Sequence, residues 1–243
     1  MQFYALYDSV HEGDLDGCIE AIKSGASVDY QKYDGYTPLH IAAQEGHIEV
    51  VRALLKHNPD ADIQTNDHDT ALLRAVRKGN SEIVDMLLNY GASLRIKEVG
   101  GDNAAHIAVS FHRLETLKIV IKHSKDILND QNDRGETPLH TSVEEGRKDF
   151  VDLITKQDIN LDLKTHNDGE TALHIAAFCG KATIAKLLLE RGANYTLHNT
   201  EGKTPLDEAI SQNHEMCVDI LEETTAKTFE MMAEFKEETK NME

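Results

Sequence analysis

The sequence predicts an all-α chain of tandem repeats, each a pair of short helices, and three observations carry that prediction. The first is self-similarity. Thr37-Pro38-Leu39-His40 returns as Thr137-Pro138-Leu139-His140 and as Thr171-Ala172-Leu173-His174. Its last residue changes in Thr204-Pro205-Leu206-Asp207, and weaker copies begin at Thr70 and Asn103. Starts at 37, 70, 103, 137, 171 and 204 lie 33 or 34 residues apart, a period that belongs to stacked repeat architectures. The second is a set of helix start and stop signals recurring at the same places in each period. The third is composition. With no Trp, 5% aromatics and 40% hydrophobic residues, the core has to be aliphatic and rich in Ala.

Each element can be justified in order. Thr or Asn ahead of the apolar run is a good N-cap, and Pro in the next position suits a first helical turn. Pro38, Pro138 and Pro205 sit there. The first helix follows, as in Leu39 to Glu45, where the small Ala42-Ala43 pair lets a neighbouring helix approach. Gly46, Gly79, Gly146 and Gly180 break it. The second helix carries apolar residues at helical spacing: Ile48, Val51, Leu54 and Leu55, then Ile83, Met86 and Leu87, then Ile184, Leu187 and Leu188. Gly25, Gly91, Gly192 or Asn58 ends it, residues that tolerate a left-handed C-terminal conformation. A polar turn such as Asp34-Gly35 or Asp168-Gly169 leads to the next Thr. A further 33 residues upstream of Thr37 lies Tyr4, opening a degenerate first unit with Leu6, Ser9, Val10 and Gly13. That makes seven units, a repeat domain over 1–223, and an acidic C-terminal helix or tail over 224–243.

The run Asp34-Gly35-Tyr36-Thr37-Pro38-Leu39-His40-Ile41-Ala42-Ala43 resembles the ankyrin repeat, and the resemblance extends over most of the chain. It implies an ankyrin-repeat α-solenoid of helix–turn–helix units with projecting β-hairpin loops. No unit buries its apolar face alone; stacking of neighbours creates the continuous core. Departures from the pattern carry expectations of their own. Unit four has Asn103-Ala104-Ala105-His106, with His112 in place of the mid-repeat Gly and Ser124 at its end. Ala105 in place of Leu weakens local stacking by a few kcal/mol unless neighbours fill the space, so unit four is expected to be the loosest internal joint. The end units read as caps, polar at Tyr4, Ser9, His11 and Glu12 and again at Asp207, Glu208, Ser211 and Gln212. Beyond them, Phe229, Met232, Ala233 and Phe235 form a drifting apolar stripe that suits a helix covering unit seven; a partner-binding segment or a linker to further domains is the alternative.

Charge excludes several functions. The formal charge is −18 from 25 basic and 43 acidic residues, which repels phosphate backbones and anionic lipid surfaces. No run of about 18 apolar residues would span a membrane. The N-terminus shows neither a basic nor an apolar signal region. Cys18, Cys179 and Cys217 are odd in number and far apart, which does not suggest a disulfide framework. A reducing, cytoplasmic setting is expected, with the nucleus possible, and a monomer.

No local chemistry emerges. His40, His106, His140 and His174 recur because the repeat recurs; the resemblance implies that each bonds its capping residue and a neighbouring loop. The zinc-type spacings His-Glu-x-x-His and Cys-x-x-Cys are missing. Gly202-Lys203-Thr204 resembles the end of a phosphate loop, but Leu197 stands where its first Gly is required. Cys179 and His174 are five apart on a short helix and so on different faces. No catalytic residue, metal ligand or cofactor site is expected. The chain reads as a non-enzymatic protein-interaction module, either a compact chaperone or inhibitor built of repeats alone or the repeat portion of a larger channel, kinase or bacterial effector.

The resemblance places partner contacts at the tips and on the exposed side of the first helices, along a concave groove. Before the capping Thr these are Tyr36, Asp69, Asp102, Glu136, Glu170 and Lys203. After the small pair they are His11-Glu12, Gln44-Glu45, Arg77-Lys78, Ser110-Phe111, Glu144-Glu145, Phe178-Cys179 and Ser211-Gln212. The tips add Tyr33, Asp34, Asn66, Asp67, Arg134, Asp168 and Glu201. Phe111 and Phe178, with Tyr33 and Tyr36, are aromatic anchors or else pack on adjacent tips. This surface is mostly acidic with one basic island at Arg77-Lys78, and it suits a protein partner with a basic or mixed basic and apolar segment, steered by charge.

Overall fold

The computed structural model describes the backbone of residues 2–240 and the side chains of residues 5–228. The side chains of Tyr4, Phe229, Met232, Ala233 and Phe235 therefore lie outside the described residues. Among the described residues are fourteen α-helices, one 3-10 turn and no strand. They fall into two compact units, Met1–Asp133 and Arg134–Glu243.

Unit 1 holds α1 (Gln2–Glu12), α2 (Leu15–Lys23), α3 (Pro38–Glu45), α4 (Ile48–Leu55), α5 (Ala71–Lys78), α6 (Ser81–Tyr90), α7 (Ala104–Ser110) and α8 (Leu114–His123), closed by the 3-10 turn Asp126–Asn129. Unit 2 holds α9 (Pro138–Glu144), α10 (Lys148–Thr155), α11 (Ala172–Phe178), α12 (Ala182–Glu190), α13 (Pro205–Ser211) and α14 (Glu215–Lys240). Within each unit the helices pair in sequence and form two layers. The first helices of successive repeats pack on one another, as α1, α3, α5 and α7 do, and the second helices form the other layer. Leu39, Ala42, Ala43, Val51, Leu54, Leu72, Val76 and Leu87 between the layers are almost wholly buried. Each fully buried Leu or Val contributes about 1.5–3 kcal/mol over its exposed state.

Thr37, Thr70, Thr137, Thr171 and Thr204 cap their helices with extended backbone, and Asn103 does so in repeat four. Thr37 shows how the histidine takes part. Its N–H donates to His40 Nδ1 at 3.1 Å, and the hydroxyl oxygen lies 2.7 Å from the same nitrogen. Nδ1 is thus an acceptor, so the ring proton sits on Nε2, which donates to the Asp69 carbonyl at 3.2 Å. Burial holds the His40 and His174 pKa values below the usual imidazole range. Asp207 takes the histidine's part in the last repeat, receiving the Thr204 N–H at 2.8 Å.

A second tie was not read from the sequence. In four repeats the residue opening the second helix donates backwards, to a carbonyl at the end of the previous repeat's first helix. His47 reaches the His11 carbonyl at 3.2 Å, Asn80 that of Ala43 at 2.7 Å, Arg113 that of Arg77 at 3.1 Å, and His214 that of Phe178 at 2.9 Å. Such bonds satisfy carbonyls that a helix terminus leaves open. They also explain the mid-repeat glycine. Gly79 has φ +82°, and a Cβ there would stand 2.8 Å from Arg113 Cδ, so both conformation and packing require its absence.

The structure bears on three expectations. The projecting loops hold no strand among the described residues and are tight turns: four of them close on two backbone bonds, such as Thr65 N–H to the Asp69 carbonyl at 2.8 Å and His68 N–H to the Thr65 carbonyl at 2.9 Å, and a tip touches the next through another, Asn66 N–H to the Asp34 carbonyl at 3.1 Å. Too few rungs form for strands. The boundary at 223/224 falls inside α14, which continues without a break to Lys240. Repeat four is not thinly packed where Ala105 replaces Leu. Residues 104–109 are buried throughout, and Ile127 and Leu128 of the 3-10 turn add two further buried side chains. The Ile127 carbonyl also receives a bond from Asn103 Nδ2 at 2.9 Å.

Candidate partner-binding surface

The expected contact positions behave differently in the two units. In unit 1 they are joined to one another. Asp69 is only 2% exposed, so it is not offered to a partner. Its carboxylate receives Arg74 at 2.8 Å and Arg77 at 3.3 Å, and Arg77 also pairs with Glu98. The guanidinium of Arg74 lies 4.8 Å from the centre of the Tyr36 ring, and that of Arg77 lies 5.1 Å from that of Phe111. Asp67, at the exposed tip, stands 3.9 Å from Arg74. Arg77 is therefore no free basic island, and Lys78 alone of the pair is exposed. Phe111 is 42% exposed yet serves as a platform for Arg77. Both arginine Nε atoms are buried without a hydrogen-bond partner, a mark of how deeply the two side chains are inserted.

The remaining unit 1 positions are dispersed. Tyr33 stands 98% exposed at its tip. Gln44 donates to Glu45 at 2.9 Å. Asp102 is half-buried and accepts from Asn132 Nδ2 at 2.9 Å, while Ser110 is exposed.

In unit 2 the structure gathers seven of the expected residues, Asp168 and Glu170 among them, around one cavity of about 240 Å³. Arg134 and Glu136 come from one tip, Glu144 from the end of α9, and Phe178 and Cys179 from the end of α11. Thr165, Asn167, Asp168, Glu170 and Ile175 complete the wall. Four carboxylates thus face one guanidinium, and that guanidinium already pairs with Glu136 at 2.7 Å. Glu170 is half-buried, and burial, then the neighbouring Glu208, Asp168 and Glu201, raise its pKa above the usual carboxylate range. The nearby Lys203 ammonium is held by Glu201 at 2.7 Å and Glu208 at 3.6 Å. Phe178 is 46% exposed at the rim. Burial foremost raises the Cys179 pKa, which disfavours a reactive thiolate. Glu145 and Lys203 lie outside this cavity.

Sequence reasoning missed Arg74 and Ile175, which decide the contrast. Four residues after the cap stand Ile41, Arg74, Ile107, Thr141, Ile175 and Glu208. An arginine at a position that is isoleucine in three of the six repeats was the available signal.

Among the described residues no group of three or more His, Cys, Asp or Glu side chains could hold a metal ion. No described helix is long and apolar enough to cross a membrane.

Comparison with curated proteins returns no match. Solved structures do match. The ankyrin repeat domain of Bcl-3, described as a unique member of the IkappaB protein family, is 26% identical with a TM-score of 0.83, over 90% of this chain and 97% of that one. The human ASB11 ankyrin repeat domain is 26% identical with a TM-score of 0.75, over 90% and 96% of the two chains. A family model described as ankyrin repeats in three copies matches residues 6–98, 94–165 and 157–229. With nearly the whole length matched in this way, the chain belongs to the ankyrin repeat family.

Proposed function

We propose that this chain is a non-enzymatic module that binds a protein partner through its first helices and tips, and that the cavity of unit 2 is the principal contact. Ankyrin repeat domains are in general protein–protein interaction modules. What supports the finer reading is the cavity itself, where four carboxylates and one already paired guanidinium meet an exposed phenyl ring. The matching partner segment is basic beside an apolar residue. Charge of this kind speeds encounter, and the gain fades as salt screens it. The protein acts as a monomer in a reducing cytoplasmic or nuclear compartment; its three free cysteines, two of them buried, fit that setting.

The test is affinity capture from native extract with the wild-type chain, Phe178→Ala, and wild type in high salt. A protein retained by wild type and lost in both other arms supports the reading. With that protein purified, the association rate constant should fall several-fold from low to physiological salt. Retention unchanged by Phe178→Ala and by salt would overturn the assignment to this cavity.

A further inference from the structure

The cavity of unit 2 has a counterpart in unit 1 that is already filled. Counted from the capping Thr70 and Thr171, Asp69 corresponds to Glu170, Asp67 to Asp168, and Arg74 to Ile175. In unit 1 the Arg74 guanidinium lies against both carboxylates, 2.8 Å from Asp69 and 3.9 Å from Asp67, with an aromatic face beside it. In unit 2 the two carboxylates recur and the arginine does not. Ile175 stops short of them, and the space left open is the cavity.

We infer that this cavity receives an arginine side chain from a protein partner, its guanidinium set between Glu170 and Asp168 and its aliphatic stem along Ile175 and Phe178. The inference rests on the interaction-module reading and names what the partner must present. Arginine fits better than lysine for stated reasons. A planar fork serves two carboxylates at once and lies flat against a ring, whereas an ammonium is a compact, strongly hydrated charge. Unit 1 shows the same use twice, with Arg74 over Tyr36 and Arg77 over Phe111. The two cations nearest the site are engaged by other carboxylates, Arg134 by Glu136 and Lys203 by Glu201 and Glu208. The carboxyl group of Glu170 is thus left crowded by like charges.

The experiment uses the full chain and two small probes, N-acetyl-arginine amide and N-acetyl-lysine amide, followed by amide chemical shifts. The arginine probe should give saturable shifts confined to residues 134–136, 144 and 165–179, and should bind several-fold more tightly than the lysine probe. Glu170→Gln should weaken the arginine probe about tenfold, the loss expected of one charge-assisted bond. Ile175→Arg, checked for native helicity by circular dichroism, should abolish the titration because its own side chain occupies the site. Equal affinity for both probes, or an arginine titration indifferent to Glu170→Gln, would sink the inference. The two levels can fail separately. A captured protein still retained by Glu170→Gln and Ile175→Arg overturns the arginine site and leaves the module standing. An arginine titration that responds to both variants, with no salt-sensitive partner, upholds the site and removes the module reading.

Discussion

Asp69 and Glu170 each directly precede a capping threonine, yet their surroundings are opposite. Asp69 is sealed beneath two arginines of its own unit, while Glu170 faces open space among other carboxylates. One anion holds structure together; the other is slightly at odds with it. The repeat therefore fixes where a carboxylate stands but not what it does. That is decided by whether position four of the following helix carries Arg74 or Ile175.

The largest expected effect tests this directly. Asp69→Asn leaves two largely buried guanidiniums without their shared anion and should cost about 3 kcal/mol in urea denaturation. Glu170→Gln should change stability by less than about 0.5 kcal/mol. Its sign is also fixed. A carboxyl whose folded pKa is raised is strained when ionised, so at neutral pH removal of the charge is neutral or slightly stabilising. Equal losses in the two variants would erase the contrast.

The aromatic pair gives a smaller difference. Phe111→Ala removes the ring beneath Arg77 and should lower stability by about 1 kcal/mol, whereas Phe178→Ala should move it by less than about 0.5 kcal/mol and act on binding. The reverse order would place Phe178 in the fold.

Smallest is an effect the two units share. His40 and His174 have folded pKa values depressed by burial. Their contribution is present above the unfolded value of about 6.5 and is lost as pH falls below it, because the unfolded chain binds more protons. Hydrogen exchange compared at about pH 7 and pH 5 should show protection falling around both histidines alike. A loss confined to one unit would mean that their environments differ more than their bonds suggest.

What the sequence made legible was local. Threonine caps, proline at the first turn and glycine stops act within a few residues, so their period announced the helices and the family. Tertiary satisfaction was harder to read. Asp69 occupies the same column as Tyr36, Glu136 and Lys203, and nothing in the column says which of them is buried. The tips were expected to pair as strands, but a closing pair of bonds at the tip supports only a turn. The backward donors His47, Asn80, Arg113 and His214 were visible as a column of polar side chains. Their role needed the neighbouring repeat to be in place.

Those donors, with the histidines that reach forward to Asp69, Glu170 and Lys203 carbonyls, bear on where the protein can be cut. In α3 and α11 the first helix is fastened at its start to the tip that follows and at its end to the helix pair that follows. A fragment ending at residue 193 would keep α11 and α12 yet remove the Lys203 carbonyl that receives the His174 ring N–H, at a cost of about 1–3 kcal/mol. Proteases and truncations should therefore not shorten unit 2 one repeat at a time. The smallest fragment that stays folded is set by its joints, not by its repeats.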